Sequence, residues 1–135
     1  MKKFESKRVI LSTSSKNVYD FIGDLSNLKA FMPEQVTNWQ STADTCSFTI
    51  KNMTTLNLRI NERIPFERID VIPDGKPPFN FKLQLLLFPQ TESQSEASFL
   101  ISADLNPIFS MMASKPLQNL VDLMAKNMEK HFSDL

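Results

Sequence analysis

Residues 79–128, FNFKLQLLLFPQTESQSEASFLISADLNPIFSMMASKPLQNLVDLMAKNM, change their hydrophobic period once, and that change decides the fold. Phe79, Phe81, Leu83, Leu85 and Leu87 alternate with Asn80, Lys82 and Gln84. After the polar turn Thr91–Gln94, Ala97, Phe99, Ile101, Ala103 and Leu105 repeat the alternation. A period of two sends successive side chains to opposite faces, so both runs are strands with one apolar face. Beyond Asn106-Pro107 the spacing becomes three and four, and Met111, Leu117, Leu120, Val121, Met124 and Met128 share one helical stripe. Lys115-Pro116 predicts a kink or restart there, with the main helix running from about Pro116. The strand face and the helix stripe are each unburied alone, and each is the cover the other needs.

Toward the N-terminus the same period of two continues in segments of about eight residues separated by polar or proline-containing turns. Val36 to Ser41 is one segment, and Thr42-Ala43-Asp44 turns the chain into Cys46, Phe48 and Ile50, which alternate with Ser47, Thr49 and Lys51. Leu56, Leu58, Ile60 and Ile64 then oppose Asn57, Arg59, Asn61 and Arg63, up to Pro65. Phe66 to Ile72 is a further strand, and Pro73-Asp74-Gly75-Lys76-Pro77-Pro78 is the strongest turn signal in the chain. Upstream, Phe4 to Ser12 is a first strand and Thr13-Ser14-Ser15 caps a helix carrying Val18, Phe21, Ile22, Leu25 and Leu28. Gly23-Asp24 interrupts that helix, Asp24 or Ser26 caps a second short one through Phe31, and Pro33 stops it. The expected architecture is α+β, one domain over residues 1–135. About seven antiparallel strands form a curved sheet that grips a long C-terminal helix, with two short helices after the first strand.

Composition removes several function classes. Fifteen Lys and Arg balance fifteen Asp and Glu, which argues against an electrostatic grip on nucleic acid or anionic lipid. Basic residues are interspersed with acids, with no basic-aromatic platform for single strands. Eleven Phe within a 41% apolar chain supply the core of a domain that buries about two-thirds of its unfolded surface. Two glycines, Gly23 and Gly75, cannot make a dinucleotide fingerprint or a P-loop. One Cys and one His cannot make a structural zinc site or the soft-ligand cluster of most catalytic transition metals; a carboxylate-only site for a hard cation stays open without a motif to support it, and no metal or cofactor is expected. Cys46 has no disulfide partner, the N-terminal apolar run Val9-Ile10-Leu11 is too short for a signal core, and no run approaches the roughly 20 residues of a membrane span. The expected compartment is the cytoplasm.

Three local patterns carry a family resemblance. Ser14-Ser15-Lys16-Asn17-Val18-Tyr19-Asp20-Phe21-Ile22-Gly23-Asp24-Leu25-Ser26-Asn27-Leu28 joins a small polar cap, an aromatic helix, an Asp and an Asn at the junction of two short helices. Pro33 follows Phe31-Met32, and Ala103-Asp104-Leu105-Asn106-Pro107 leads into the long helix. With the element order, these resemble the helix-grip fold of the START-like (SRPBCC) superfamily. That group holds polyketide cyclases, coenzyme Q-binding proteins, lipid-transfer domains and the birch-pollen-allergen proteins. The resemblance implies a cavity between sheet and long helix that accepts a hydrophobic or amphipathic small molecule. The chain departs from many members in its few glycines, and it lacks the second histidine or paired acids of some catalytic ones.

The residues expected to line such a cavity are Phe48, Ile50, Leu58 and Ile60 from the middle strands, Phe81, Leu83, Leu85, Phe99 and Ile101 from the hairpin, and Leu120, Met124 and Met128 from the helix. The same side chains would equally fill a core. A dry void of about 300 Å³ costs roughly 7 kcal/mol, so ligand, water or adaptable side chains must occupy the space. Met111, Met112, Met124 and Met128 suit an adaptable wall. Glu62 falls by parity on the apolar face between Ile60 and Ile64, where an unpaired carboxylate could serve as acid, base or hydrogen-bond partner. The competing reading is a bulge near Pro65 that turns it to solvent, or an ion pair with Arg63 or Arg68. Trp39 and Tyr19 can present a polar tip to a ligand or sit in the core. Cys46 is expected to be a buried inert thiol, His131 a terminal helix residue, Asp70 and Asp104 no couple, and Asp104 a helix cap.

The primary functional expectation is a binding or carrier domain. The second is a cyclase- or hydrolase-type enzyme using Glu62 with Trp39 or Tyr19. A third is a partner-binding domain like the chaperone ATPase activators that share this architecture. Leu86, Phe88 and Leu100 point away from the core on adjacent strands, which admits a homodimer.

Overall fold

The computed structural model describes residues 1–51 and 54–133. Helix α1, Ser15–Ile22, starts where the Ser14 hydroxyl accepts the Asn17 amide at 3.2 Å and ends at Gly23. A 3-10 helix, Leu25–Phe31, follows at once, with the Asp24 carboxylate accepting the Ser26 amide at 2.9 Å. Together they bury Val18, Ile22, Leu25, Leu28 and Phe31. The strands are β1 Lys2–Glu5, β2 Val9–Leu11, β3 Val36–Ser41, β4 Thr45–Ile50, β5 Thr54–Ile64, β6 Arg68–Pro73, β7 Asn80–Thr91 and β8 Gln94–Asp104. They form one antiparallel sheet in the order β1-β8-β7-β6-β5-β4-β3, with β2 also on β8. Helix α2, Pro107–His131, packs on its inner face. The α+β helix-on-sheet architecture is the expected one.

The sheet has eight strands among the described residues because the expected first strand is two. Phe4 pairs with Ile101 and Val9 with Ala97, so one extra residue must be taken up between β1 and β2. Ser6 takes it up: its amide donates to the Phe99 carbonyl, and its hydroxyl oxygen accepts the Phe99 amide, both at 2.9 Å. A side chain thus replaces a missing ladder partner, and the buried Phe99 amide stays paired.

Three other boundaries differ from expectation for local reasons. The fifth expected strand, drawn from Phe66, begins at Arg68, because Phe66 sits at φ +65° in the tight turn after Pro65. Asp104 is the last residue of β8, opposite Asn80, and the helix cap is Asn106, whose Oδ1 accepts the Phe109 amide at 2.8 Å. Pro107 then occupies the first turn, where its missing N–H costs nothing. Finally, α2 runs unbroken through Pro116. The carbonyl orphaned by Pro116 belongs to the exposed Met112, where water can reach it, while Ala113 and Leu117 bury on either side.

Ser6→Ala should therefore strand a buried amide. Its expected cost is about 1–3 kcal/mol, read as a lower urea midpoint at unchanged m-value.

Candidate functional site

The space between the inner sheet face and α2 is the candidate site. Phe48, Ile50, Leu58, Phe81, Leu83, Leu85, Phe99 and Ile101 reach it from the strands, and Leu120, Met124 and Met128 from α2, all buried. Trp39 and Ile60 lie at its side, half-buried against the core. The Trp39 ring stacks on Phe48 with centroids 5.5 Å apart, and its indole N–H donates to Ser41 Oγ at 2.9 Å. That internal partner satisfies the one polar atom Trp39 brings.

These side chains fill the space they surround. Met124 and Met128 are 0% exposed and Phe48 and Phe99 1%, so they pack against neighbouring side chains. The interface loosens at one end. Phe79 and Phe81 are the least buried rings of the core, at 8% and 7%. Phe79 stands 5.3 Å from Phe81 and 5.1 Å from Phe109 of α2, centroid to centroid. An opening of about 380 Å³ lies there, between Pro78, Phe79, Asn80, Asp104, Leu105, Asn106 and Phe109. A second, of about 410 Å³, lies where β1 breaks into β2 beside α2 and carries both charges: Lys7, Arg8 and Lys126 against Asp122 and Glu129.

Sequence reading missed the role of Phe79 and Phe109 at the first opening. The signal was present: Phe109, Ala113, Leu117 and Leu120 keep helical spacing, and the inward stripe of α2 starts there. Met111 and Met112, expected on the stripe and in an adaptable wall, instead face outward at 86% and 65% exposure. Met111 is six residues before Leu117, which places it about 120° away around the helix.

Glu62 is also displaced from its expected place. The β5–β6 register shifts between Ile60 and Glu62, because Ile60 pairs with Val71 and Glu62 with Asp70. One extra residue reverses parity, so Glu62 joins the outer face and is exposed. There its carboxylate accepts from Arg68 at 2.6 Å. Arg68 also donates to Asp70 at 3.2 Å, and Gln84 donates to Asp70 at 2.9 Å. Asp70, 3% exposed, is thus a paired structural carboxylate on the outer face. The Arg68 guanidinium is held above its ordinary pKa, first by the hydrogen bond to Asp70 and by that residue's charge.

The remaining candidates lie elsewhere. Tyr19 meets Phe66 edge-on at 5.7 Å, and exposed His131 lies 4.7 Å from both Phe21 and Phe132. Leu86, Phe88 and Leu100 are half-buried on the outer face, and the Arg8 guanidinium sits 3.5 Å over the Phe88 ring. Among the described residues, no group of three His, Cys, Asp or Glu side chains is placed to hold a metal. None of the helices searched among them is long and apolar enough to cross a membrane.

No protein-family model matches the chain, and no curated protein matches it by sequence. Solved structures do match over nearly its whole length. A START superfamily protein from Mycobacterium smegmatis superposes with a TM-score of 0.67 over 96% of each chain at 10% identity. The fold is the START-like helix grip. The XoxI protein of Bacillus cereus has it too, with a TM-score of 0.76 over 98% of this chain and 96% of its own at 13% identity. So does a norcoclaurine synthase point mutant from Thalictrum flavum, solved with a transition-state analogue, at a TM-score of 0.68 over 98% and 96% and 10% identity.

In this helix grip the one ionisable group described on the inner face of β4 is Cys46, and burial pushes its thiol from an ordinary 9.0 up to about 12. The neutral form is the folded form, so its contribution to stability is whole below about pH 9 and is lost as pH rises to about 12. Over that window the wild type should lose up to about 1.4 kcal/mol of unfolding free energy per pH unit that Cys46→Ala does not lose. Urea titrations of the two proteins in parallel measure it.

Proposed function

We propose that this chain is a binding or carrier domain for a hydrophobic or amphipathic small molecule, such as a lipid, isoprenoid or polyketide-like compound, taken up between the sheet and α2. The observation that carries this reading is the opening that Phe79 and Phe109 share with Asn80, Asp104 and Asn106, beside the apolar side chains between the sheet and α2. The norcoclaurine synthase of the same fold, solved with a transition-state analogue, supports a ligand in this class of protein.

Ligand entry must displace side chains, because Met124 and Met128 close the interior. Methionine is suited to that: three flexible torsions let it vacate space without breaking a hydrogen bond. Pro116 removes one bond of the helix ladder, so the segment Pro107–Lys115 is the part of α2 least tied to the remainder. The apparent affinity is then the intrinsic one reduced by the fraction of molecules that are open.

Binding is favoured over catalysis because the residue best placed by parity to be an acid, Glu62, lies on the outer face in an ion pair. The partnerless Cys46 suits a reducing compartment, and the cytoplasm is the location we assign.

Mass spectrometry of gently purified protein, native against denatured, tests the reading. The expected result is a stoichiometric hydrophobic adduct that is released on denaturation and absent from a folded Met124→Trp variant, whose indole occupies the space. A wild-type protein that is empty and takes up no fluorescent long-chain fatty acid overturns it.

A further inference from the structure

Ile108, Met111 and Met112 are 76%, 86% and 65% exposed, a cluster of large apolar side chains on the solvent side of the first turns of α2. Positions 108, 111 and 112 stand at helical spacing, so the three form one continuous patch. The patch is confined to this end of the helix, because Asn119, Asp122 and Lys126 continue the same face as polar residues. Pro107 begins it, and Pro77 and Pro78 lie in the neighbouring turn, which meets α2 through the Phe79–Phe109 contact.

On the first turns of α2 the charge is one-sided although the chain as a whole is neutral. Lys115 lies on the same face of α2, and no acid occurs between Pro107 and Asn119. Lys2 flanks the helix, its Nζ 2.9 Å from Ser114 Oγ and 3.2 Å from Ser110 Oγ. Lys76 stands in the neighbouring turn with Asp74, and Asp104 ends β8. Global neutrality, which argued against anionic lipid, conceals this local excess.

We propose that this tip is a docking surface for an anionic lipid bilayer, with Ile108, Met111 and Met112 entering the interface and the lysines at headgroup level. A short apolar face with a lysine rim is the pattern that lies in a membrane interface. A second copy of the chain fits less well. Three side chains are far short of the roughly 800 Å² per partner of a stable interface, and a two-fold contact here would set Lys115 and Lys2 close to their own copies. The docking stands without the ligand reading, although it would bring the opening at Phe79 and Phe109 to the lipid surface.

Sedimentation with large vesicles tests it directly. The protein should pellet with equimolar phosphatidylglycerol–phosphatidylcholine vesicles and not with phosphatidylcholine alone, and added salt should release it. Ile108→Asp and Met111→Asp should each weaken binding more than tenfold, and Lys115→Gln about fivefold. Thermal midpoints should stay near that of the wild type, because these side chains are outside the core. Absence of binding to anionic vesicles overturns the proposal, as does equal binding by the Asp variants. Light scattering that shows a dimer dissociated by Met111→Asp also overturns it, in favour of self-association. An empty interior by mass spectrometry leaves these outcomes unaffected, so the two readings fail separately.

Discussion

Burial of the inner face of β7 and β8 under α2 is the constraint on which the remaining structure depends. The two strands are paired along nearly their whole length, and β8 also takes β1 and β2, so this hairpin anchors one half of the sheet. Its inner face presents Phe81, Leu83, Leu85, Phe99 and Ile101, each worth about 1.5–3 kcal/mol when removed from water. Leu117, Leu120, Val121, Met124 and Met128 return the contact from the helix. The cap at Asn106 sets where α2 starts, and the hydrogen bond from Asn127 to the Phe31 carbonyl at 2.9 Å ties its far half to the 3-10 helix. Smaller devices then fit the edges to this frame. Ser6 absorbs an extra residue opposite Phe99, and Arg63 joins Gly23 to Asp44 by donating to the Gly23 carbonyl and the Asp44 carboxylate, each at 2.7 Å.

The same constraint shapes what the interior can do. A void large enough for a ligand would cost roughly as much as many domains have in net stability, so an unliganded protein of this size closes over its own side chains. Met124 and Met128 fill the interior without polar contacts that would lock it. The loosest part of the interface lies beside the proline-flanked first turns of α2 and the Pro73–Pro78 turn.

Much of this was legible in the chain. The alternations Phe79–Leu87 and Ala97–Leu105 mark β7 and β8 because every second residue within each is apolar, and parity survives wherever the ladder is regular. The caps at Ser14 and Asp24 were legible because a short polar side chain before an apolar helical run has one stereochemical use. Glu62 was not, because the bulge that reverses its parity depends on how β5 pairs with β6, and pairing is a property of two strands. Met111 and Met112 misled because hydrophobicity alone does not say which apolar residues of a helix face the sheet. Phe109 and Ala113 share an inward phase with Leu117 and Leu120, and Met111 does not.

The sequence by itself determined the element types, their order, where the first two helices are capped and the apolar composition of the interior, because each follows from local periodicity and local stereochemistry. Only the tertiary structure decided that the core side chains pack between sheet and helix, that Glu62 pairs with Arg68 on the outer face, that Ile108, Met111 and Met112 stand in solvent, and that Lys2 meets Ser114. Those outcomes depend on strand register, on the rotation of α2 about its axis and on residues more than a hundred positions apart meeting in space. None of these is encoded in the spacing of neighbours along the chain.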